Sequence, residues 1–154
     1  MKRYALCITV LMSLGAPSLH AEDHHAPVHD SRAILELSPA ERAMILDEMR
    51  LFLSGVQEMT GALGRQDMPA VAGAARGLGQ KMVHEVPPAL RAKLPLELRQ
   101  LGFSVHRDFD QIALDAESMK DVSYSLNQLS ATLQKCVACH AAYQIQTPAF
   151  DAKR

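Results

Sequence analysis

Apolar residues recur along this chain at helical spacing in four stretches, and no stretch alternates as a strand would. The first opens at Leu37-Ser38-Pro39-Ala40-Glu41, with Ser38 as N-cap, Pro39 at the first helical position and Glu41 closing a capping box. From there Ile45, Met49, Phe52, Val56, Met59 and Leu63 fall at alternating steps of four and three. That spacing is a bundle seam, and it predicts a helix ending near Leu63-Gly64. Asp67 caps a second helix over roughly Pro69 to His84, with a narrower stripe of Val71, Ala74, Leu78 and Met82. Its Gly73, Gly77 and Gly79 cost helix propensity but allow a close backbone approach. Val86-Pro87-Pro88 stops it, and the segment to Pro95 is a connection with a short turn. A third helix runs from about Leu96 to Ser118, with Leu98, Leu101, Val105, Phe109, Ile112, Ala116 and Met119 on its seam. The fourth starts near Asp121 and carries Val122, Leu126, Leu129, Leu133, Cys136, His140 and Tyr143 inward until Thr147-Pro148 ends it. The predicted fold is all-α: an antiparallel up-down-up-down four-helix bundle over residues 38–146, with a tail at 147–154.

The residues before the bundle read differently. Lys2 and Arg3 form a positive start, Ala5 to Leu14 is an apolar run, and Ala16-Pro17-Ser18-Leu19-His20-Ala21 offers a cleavage site after Ala21. Residues 1–21 are therefore expected to be a signal peptide, too short in its apolar part to span a bilayer, and export to the periplasm follows. Residues 22–37 are expected to be a flexible, His-containing leader with His24, His25 and His29. After cleavage Glu22-Asp23-His24 would present an amine, two backbone nitrogens and an imidazole to copper or nickel; a solvated tail is the simpler reading.

Processing changes the charge and the cysteine inventory. Loss of Lys2 and Arg3 takes 16 basic residues to 14 against 17 acidic, so the mature chain stands at −3. No basic patch supports a nucleic-acid partner. Cys7 leaves with the signal segment, and Cys136 and Cys139 remain as the only cysteines.

Those two belong to Cys136-Val137-Ala138-Cys139-His140, the C-x-x-C-H spacing of a c-type haem attachment site. Two thiols three residues apart can each form a thioether with a haem vinyl group, while the next imidazole reaches the iron as proximal ligand. A structural zinc would need a second Cys/His pair that the chain lacks. A thioredoxin-like pair would sit beside a βαβ pattern that is also lacking. The plainest alternative is a simple disulfide or two buried thiols; the exported context fits haem attachment. One haem c per chain is the expectation.

With that motif late in the last of four helices, and an aromatic at Tyr143, the chain resembles the class II c-type cytochromes, the family of cytochrome c′ and its low-spin, methionine-ligated relatives. Gln144 departs from the family, where many members have a basic residue. The resemblance implies a monohaem electron carrier or, as the alternative, a five-coordinate protein binding NO and CO. It also leaves open a homodimer through the first or second helix. Either function is that of a haem-binding protein, not an enzyme: a peroxidase-like centre would need polar distal catalysts where the first seam offers Ile45, Met49, Phe52 and Val56. The partners of an electron carrier would be redox proteins, and an acidic carrier meets them through basic surfaces.

The distal side of the iron decides between the two. Met49 has both the seam position and the level: it lies roughly 15 Å into the first helix, while His140 lies roughly 9 Å from the end of the fourth, at 1.5 Å per residue. The methionine-ligated relatives carry their ligand in about the same place. Met59 and Met119 read as core filler, Met44 is off the seam, and Met82, His84 and His106 are lesser alternatives. Both histidines are expected at the surface or at an interface, on a polar helix edge. Without a ligand, Phe52 or Leu53 would face the iron. Propionate partners are sought among Arg42, Arg50, Arg76 and Arg91.

Overall fold

A computed structural model describes residues 30–146, apart from the side chains of His84 and Glu85. The expected signal peptide, Glu22-Asp23-His24 and the tail from Thr147 lie outside the described residues. What is described is all-α but for one pair of two-residue strands. Helix α1 spans Pro39–Gly64 and starts where the capping box places it: the Glu41 amide donates to Ser38 Oγ at 3.3 Å and the Ser38 amide to Glu41 Oε2 at 2.8 Å. Gln66, at φ 58°, turns the chain. Asp67 then caps α2 by accepting from the Ala70 amide at 3.1 Å.

Helix α2 is shorter than the spacing predicts. It spans Met68–Gly77, and a 3-10 turn covers Gln80–Glu85. Between them Gly79 is extended, and Asp110, thirty residues further along the chain, accepts from the Gln80 amide at 3.0 Å. A Cβ on Gly79 would run into the Asp110 carboxylate. The backbone approach that the glycines allow is thus made at Gly79, and a long-range carboxylate ends the helix. Gly79→Ala is expected to cost about 1–3 kcal/mol, the range for a forced overpacking. Its unfolding midpoint against that of the parent checks this.

After the short α3 (Pro88–Lys93), α4 covers Leu96–Ser118 as predicted. Lys120, at φ 53°, makes the turn, and Asp121 caps α5 (Val122–Ala142) by accepting from the Tyr124 amide at 3.0 Å. α1 packs on α2, α2 on α4, and α4 on α5. Cross-links fix their directions. Gln128 reaches Asp115, and Lys135 reaches Asp108, so α4 and α5 run antiparallel. Glu48 meets His106 on α4, Phe52 stacks on Phe109 one turn further along both helices, and so α1 runs parallel to α4.

The fully buried core lies toward one end. It takes Met59 and Leu63 from the second half of α1, Val71 and Ala75 from α2, Phe109 and Ile112 from α4, and Leu129 from the first half of α5. At the other end the chain does something its pattern does not announce. Strand β1 (Ala33–Ile34) pairs in parallel with β2 (Tyr143–Gln144), Ala33 opposite Tyr143. The last helix therefore stops at Ala142, short of the predicted Thr147, and the stretch just ahead of α1 carries a strand instead of running free through residue 37. Two residues are too few for alternation to register.

Candidate functional site

Cys136, Cys139 and His140, the expected attachment residues, sit in the last two turns of α5. Cys136 and Cys139 are half-buried with free thiols, and His140 is exposed. The predicted seam turns all three inward, and the helix is in fact rotated from it. Its buried stripe is Ser125, Leu129 and Thr132, continuing through half-buried Cys136, Cys139 and Tyr143. Thr132 can lie inside because its hydroxyl donates back to the Gln128 carbonyl at 3.0 Å. Leu126 and Leu133 are left 45% and 38% exposed, and His140 continues their line at steps of seven. An apolar line with an imidazole at its end thus runs uncovered beside two half-covered thiols.

Burial pushes both thiols up, and Cys139 is raised further by Cys136 beside it. That is the opposite direction from a redox-active C-x-x-C pair, whose attacking thiol is lowered. The Cys136 thiol lies 3.6 Å from the Thr132 carbonyl.

Across the bundle, α1 is fully buried only at Gly55, Met59, Ala62 and Leu63. Ile45, Met49 and Phe52, earlier on the same seam, are half-buried. Their height can be read off α4. Glu48, next to Met49, is 3.3 Å from His106, while Lys135, next to Cys136, is paired with Asp108 two residues further along α4. Met49 and Cys136 are therefore level, and His140 stands about 6 Å further along, at 1.5 Å per residue. Of the other methionines, Met59 is fully buried in the core and Met82 packs on the core's edge, while Met44 is about half exposed; Met119, expected as core filler on the α4 seam, is also half exposed, because α4 has ended at Ser118 and Met119 stands at its C-cap.

The same end of the molecule holds buried donors without partners. Arg42 in the first turn of α1 and Arg91 in α3 each bury a guanidinium Nε that meets no acceptor. Arg91 is otherwise anchored by its Nη2 donating to the Val86 carbonyl at 3.0 Å. Their elements are joined by Lys93, which is 2.7 Å from Glu41. Lys93 first, and the Ser38 amide and hydroxyl after it, hold the Glu41 carboxyl at about 2. A haem fits this donor set: thiols for two vinyl groups, an imidazole and a thioether for the iron, apolar seams for the ring, and two buried guanidinium Nε groups without an acceptor for carboxylates. Arg50 and Arg76 are instead paired at the surface with Asp47 and Glu117.

His106 is the residue the pattern most misplaces. Expected on a polar edge, it is 4% exposed. Its Nδ1 lies 2.8 Å from the Leu78 carbonyl, which can only accept, so Nδ1 carries a proton. Its Nε2 faces Glu48 Oε1 at 3.3 Å, and Phe52 covers the ring at a centroid distance of 5.0 Å. Burial alone would lower this imidazole; the Glu48 carboxylate, with the Leu78 carbonyl, more than offsets it and raises the pKa. The pattern did hold a signal, since His106, Phe109, Ala113 and Ala116 share one helical face and the last three are buried. A raised histidine contributes stability that is complete below about pH 6.5, its unfolded value, and is lost as pH rises through the folded value. The unfolding midpoint of the parent is therefore expected to fall as pH rises above neutrality, and the slope to flatten in His106→Gln. The side chain of His84 lies outside what is described.

Among the described residues, no three His, Cys, Asp or Glu side chains converge on a point where a metal ion could sit. A haem iron asks less of the protein, two axial ligands at most. Compared with known proteins, the chain matches no family model, no curated protein and no solved structure.

Proposed function

We propose that the chain is an exported, monohaem c-type cytochrome that carries single electrons in the periplasm, a class II c-type cytochrome folded as a four-helix bundle. Cys136 and Cys139 would hold the haem by thioethers, His140 would bind the iron on the proximal side, and Met49 on the distal side. The observation that carries this reading is the common height of Met49 and Cys136 at the end of the molecule where both apolar seams are only half covered. A bound haem would supply the one-electron couple at its iron.

The chain's own residues do the rest. Ile45, Phe52 and Leu133 would give the ring apolar surface to lie on, which disfavours the extra charge of the ferric state and raises the potential. His/Met ligation acts in the same direction. Both ligands come from long helices, so little need rearrange when the electron moves. Arg42 and Arg91 would take the propionates, each buried Nε finding the acceptor it otherwise lacks. α2 and the 3-10 turn together make the second helix of the bundle. Among the described residues, no helix is long and apolar enough to cross a membrane, which a shuttle between redox proteins does not need.

The optical spectrum of the processed, haem-loaded protein tests the reading. Expected are a low-spin reduced spectrum, a weak long-wavelength sulfur-to-iron band when oxidised, and no reaction with CO. High-spin spectra with ready CO binding would contradict the electron carrier and make gas binding the function, with Met49 a seam residue only.

A further inference from the structure

Helix α5 ends without the usual means of closing a helix. Its last turn is followed by neither glycine nor asparagine, and Tyr143 is already extended at φ −126°, ψ 151°. The carbonyls of the last turn thus lack a Schellman partner. One is met locally, the Tyr143 amide donating to the Cys139 carbonyl. The next, on His140 itself, accepts from Arg32 Nη1 at 3.2 Å, across 108 residues of sequence. The grip is reciprocal, because Gln144 Nε2 donates to the Arg32 carbonyl at 2.9 Å and the Leu35 amide to the Gln144 carbonyl at 3.0 Å. Between these bonds Ala33–Ile34 lies against Tyr143–Gln144.

A pair of two-residue strands is too short to hold itself together. Here the side chains of Arg32 and Gln144 close it from both sides, and what they close it around is the turn that carries Cys139 and His140. The guanidinium also stands at the negative end of the α5 dipole, where a cation is favoured. An exposed imidazole on an uncapped last turn would swing as that turn frays. On a capped turn its ring keeps one angle to the two thiols, as the outer partners of a metal ligand usually ensure.

We propose that residues 32–35 form a strap that caps the C-terminal turn of α5 and so positions His140, with Arg32 as the positioning residue. This rests on the reading of Cys136, Cys139 and His140 as the haem attachment site. The strap is part of the binding site although it precedes the whole bundle in sequence, and removing it would loosen the proximal side without touching a ligand.

The test compares the haem-loaded parent with Arg32→Ala, Arg32→Lys and Gln144→Ala by amide hydrogen exchange and by the ferric electron paramagnetic resonance spectrum. In Arg32→Ala, protection of the amides at 140–144 is expected to fall about fivefold, the size of one lost helix cap, with α4 unchanged. The low-spin lines should broaden as the axial imidazole takes a range of orientations. Arg32→Lys should recover most of both effects, and Gln144→Ala should reproduce them from the other side. Equal loss of protection in α4 and α5 with unchanged lines would overturn the proposal, leaving the strap as general scaffolding. No change in either readout would overturn it too. Failure of the attachment reading shows separately, as a parent without thioether-bound haem, and exchange on that protein still decides whether Arg32 caps the turn.

Discussion

Met49→Ala is expected to turn the haem-loaded protein from low-spin to high-spin and from CO-inert to CO-reactive, with the fold retained. The spectral change should be complete, because a methyl group cannot bind iron and no second donor stands beside Met49 on its seam: Ile45 and Phe52 flank it at one helical turn. Met59, two turns beyond Phe52, is fully buried in the core and is held too far along the helix to substitute. The cost in stability should be modest. Met49 is only half-buried, so the truncation should cost about 1–2 kcal/mol, below the 2–5 of a fully buried methionine. Optical titration with CO reads the ligation and a denaturant curve reads the stability. A variant whose reduced spectrum and CO behaviour match the parent would remove Met49 from the iron.

Phe109→Ala should be the most damaging single truncation of the core, costing about 3–5 kcal/mol. The ring is fully buried, and it ties three elements together. Phe52 of α1 stacks on it at 5.7 Å and 30°, and Phe52 in turn lies on His106, which holds Leu78 at the end of α2. Deleting the ring leaves a cavity beneath Phe52, one turn from Met49. For a chain of this size the thermal midpoint should drop by roughly 10 °C. Phe109→Leu, which keeps most of the volume, should cost well under half as much. A cost below about 1 kcal/mol for the alanine variant would mean that the core is not built around this ring.

The long helices were legible because their signals are local. Ser38, Asp67 and Asp121 announce three starts within a few residues of the groups they cap, and the α4 seam sits where its spacing puts it as far as Ala116, with Met119 beyond it exposed. What escaped was set by partners distant in sequence. The end of α2 is decided by Asp110, thirty residues away, and the burial of His106 by Glu48 and the Leu78 carbonyl. On α5 the count of large apolar residues pointed to Leu126 and Leu133, while the structure buries Ser125 and Thr132, which are small enough for α4 to approach. The C-x-x-C-H spacing was visible as five adjacent residues. Its setting was not, since neither the strap at Ala33–Ile34 nor the exposed His140 leaves any period in the sequence.

Covalent attachment of haem at Cys136 and Cys139 is the claim on which the rest depends, and the intact mass of the denatured, signal-processed protein tests it most directly. Expected is the mature polypeptide plus one haem that survives denaturation, carried after proteolysis by the fragment containing Cys136 to His140. A mass equal to the polypeptide alone, with free thiols or a Cys136–Cys139 disulfide, would contradict the haem and with it the proposed electron transfer.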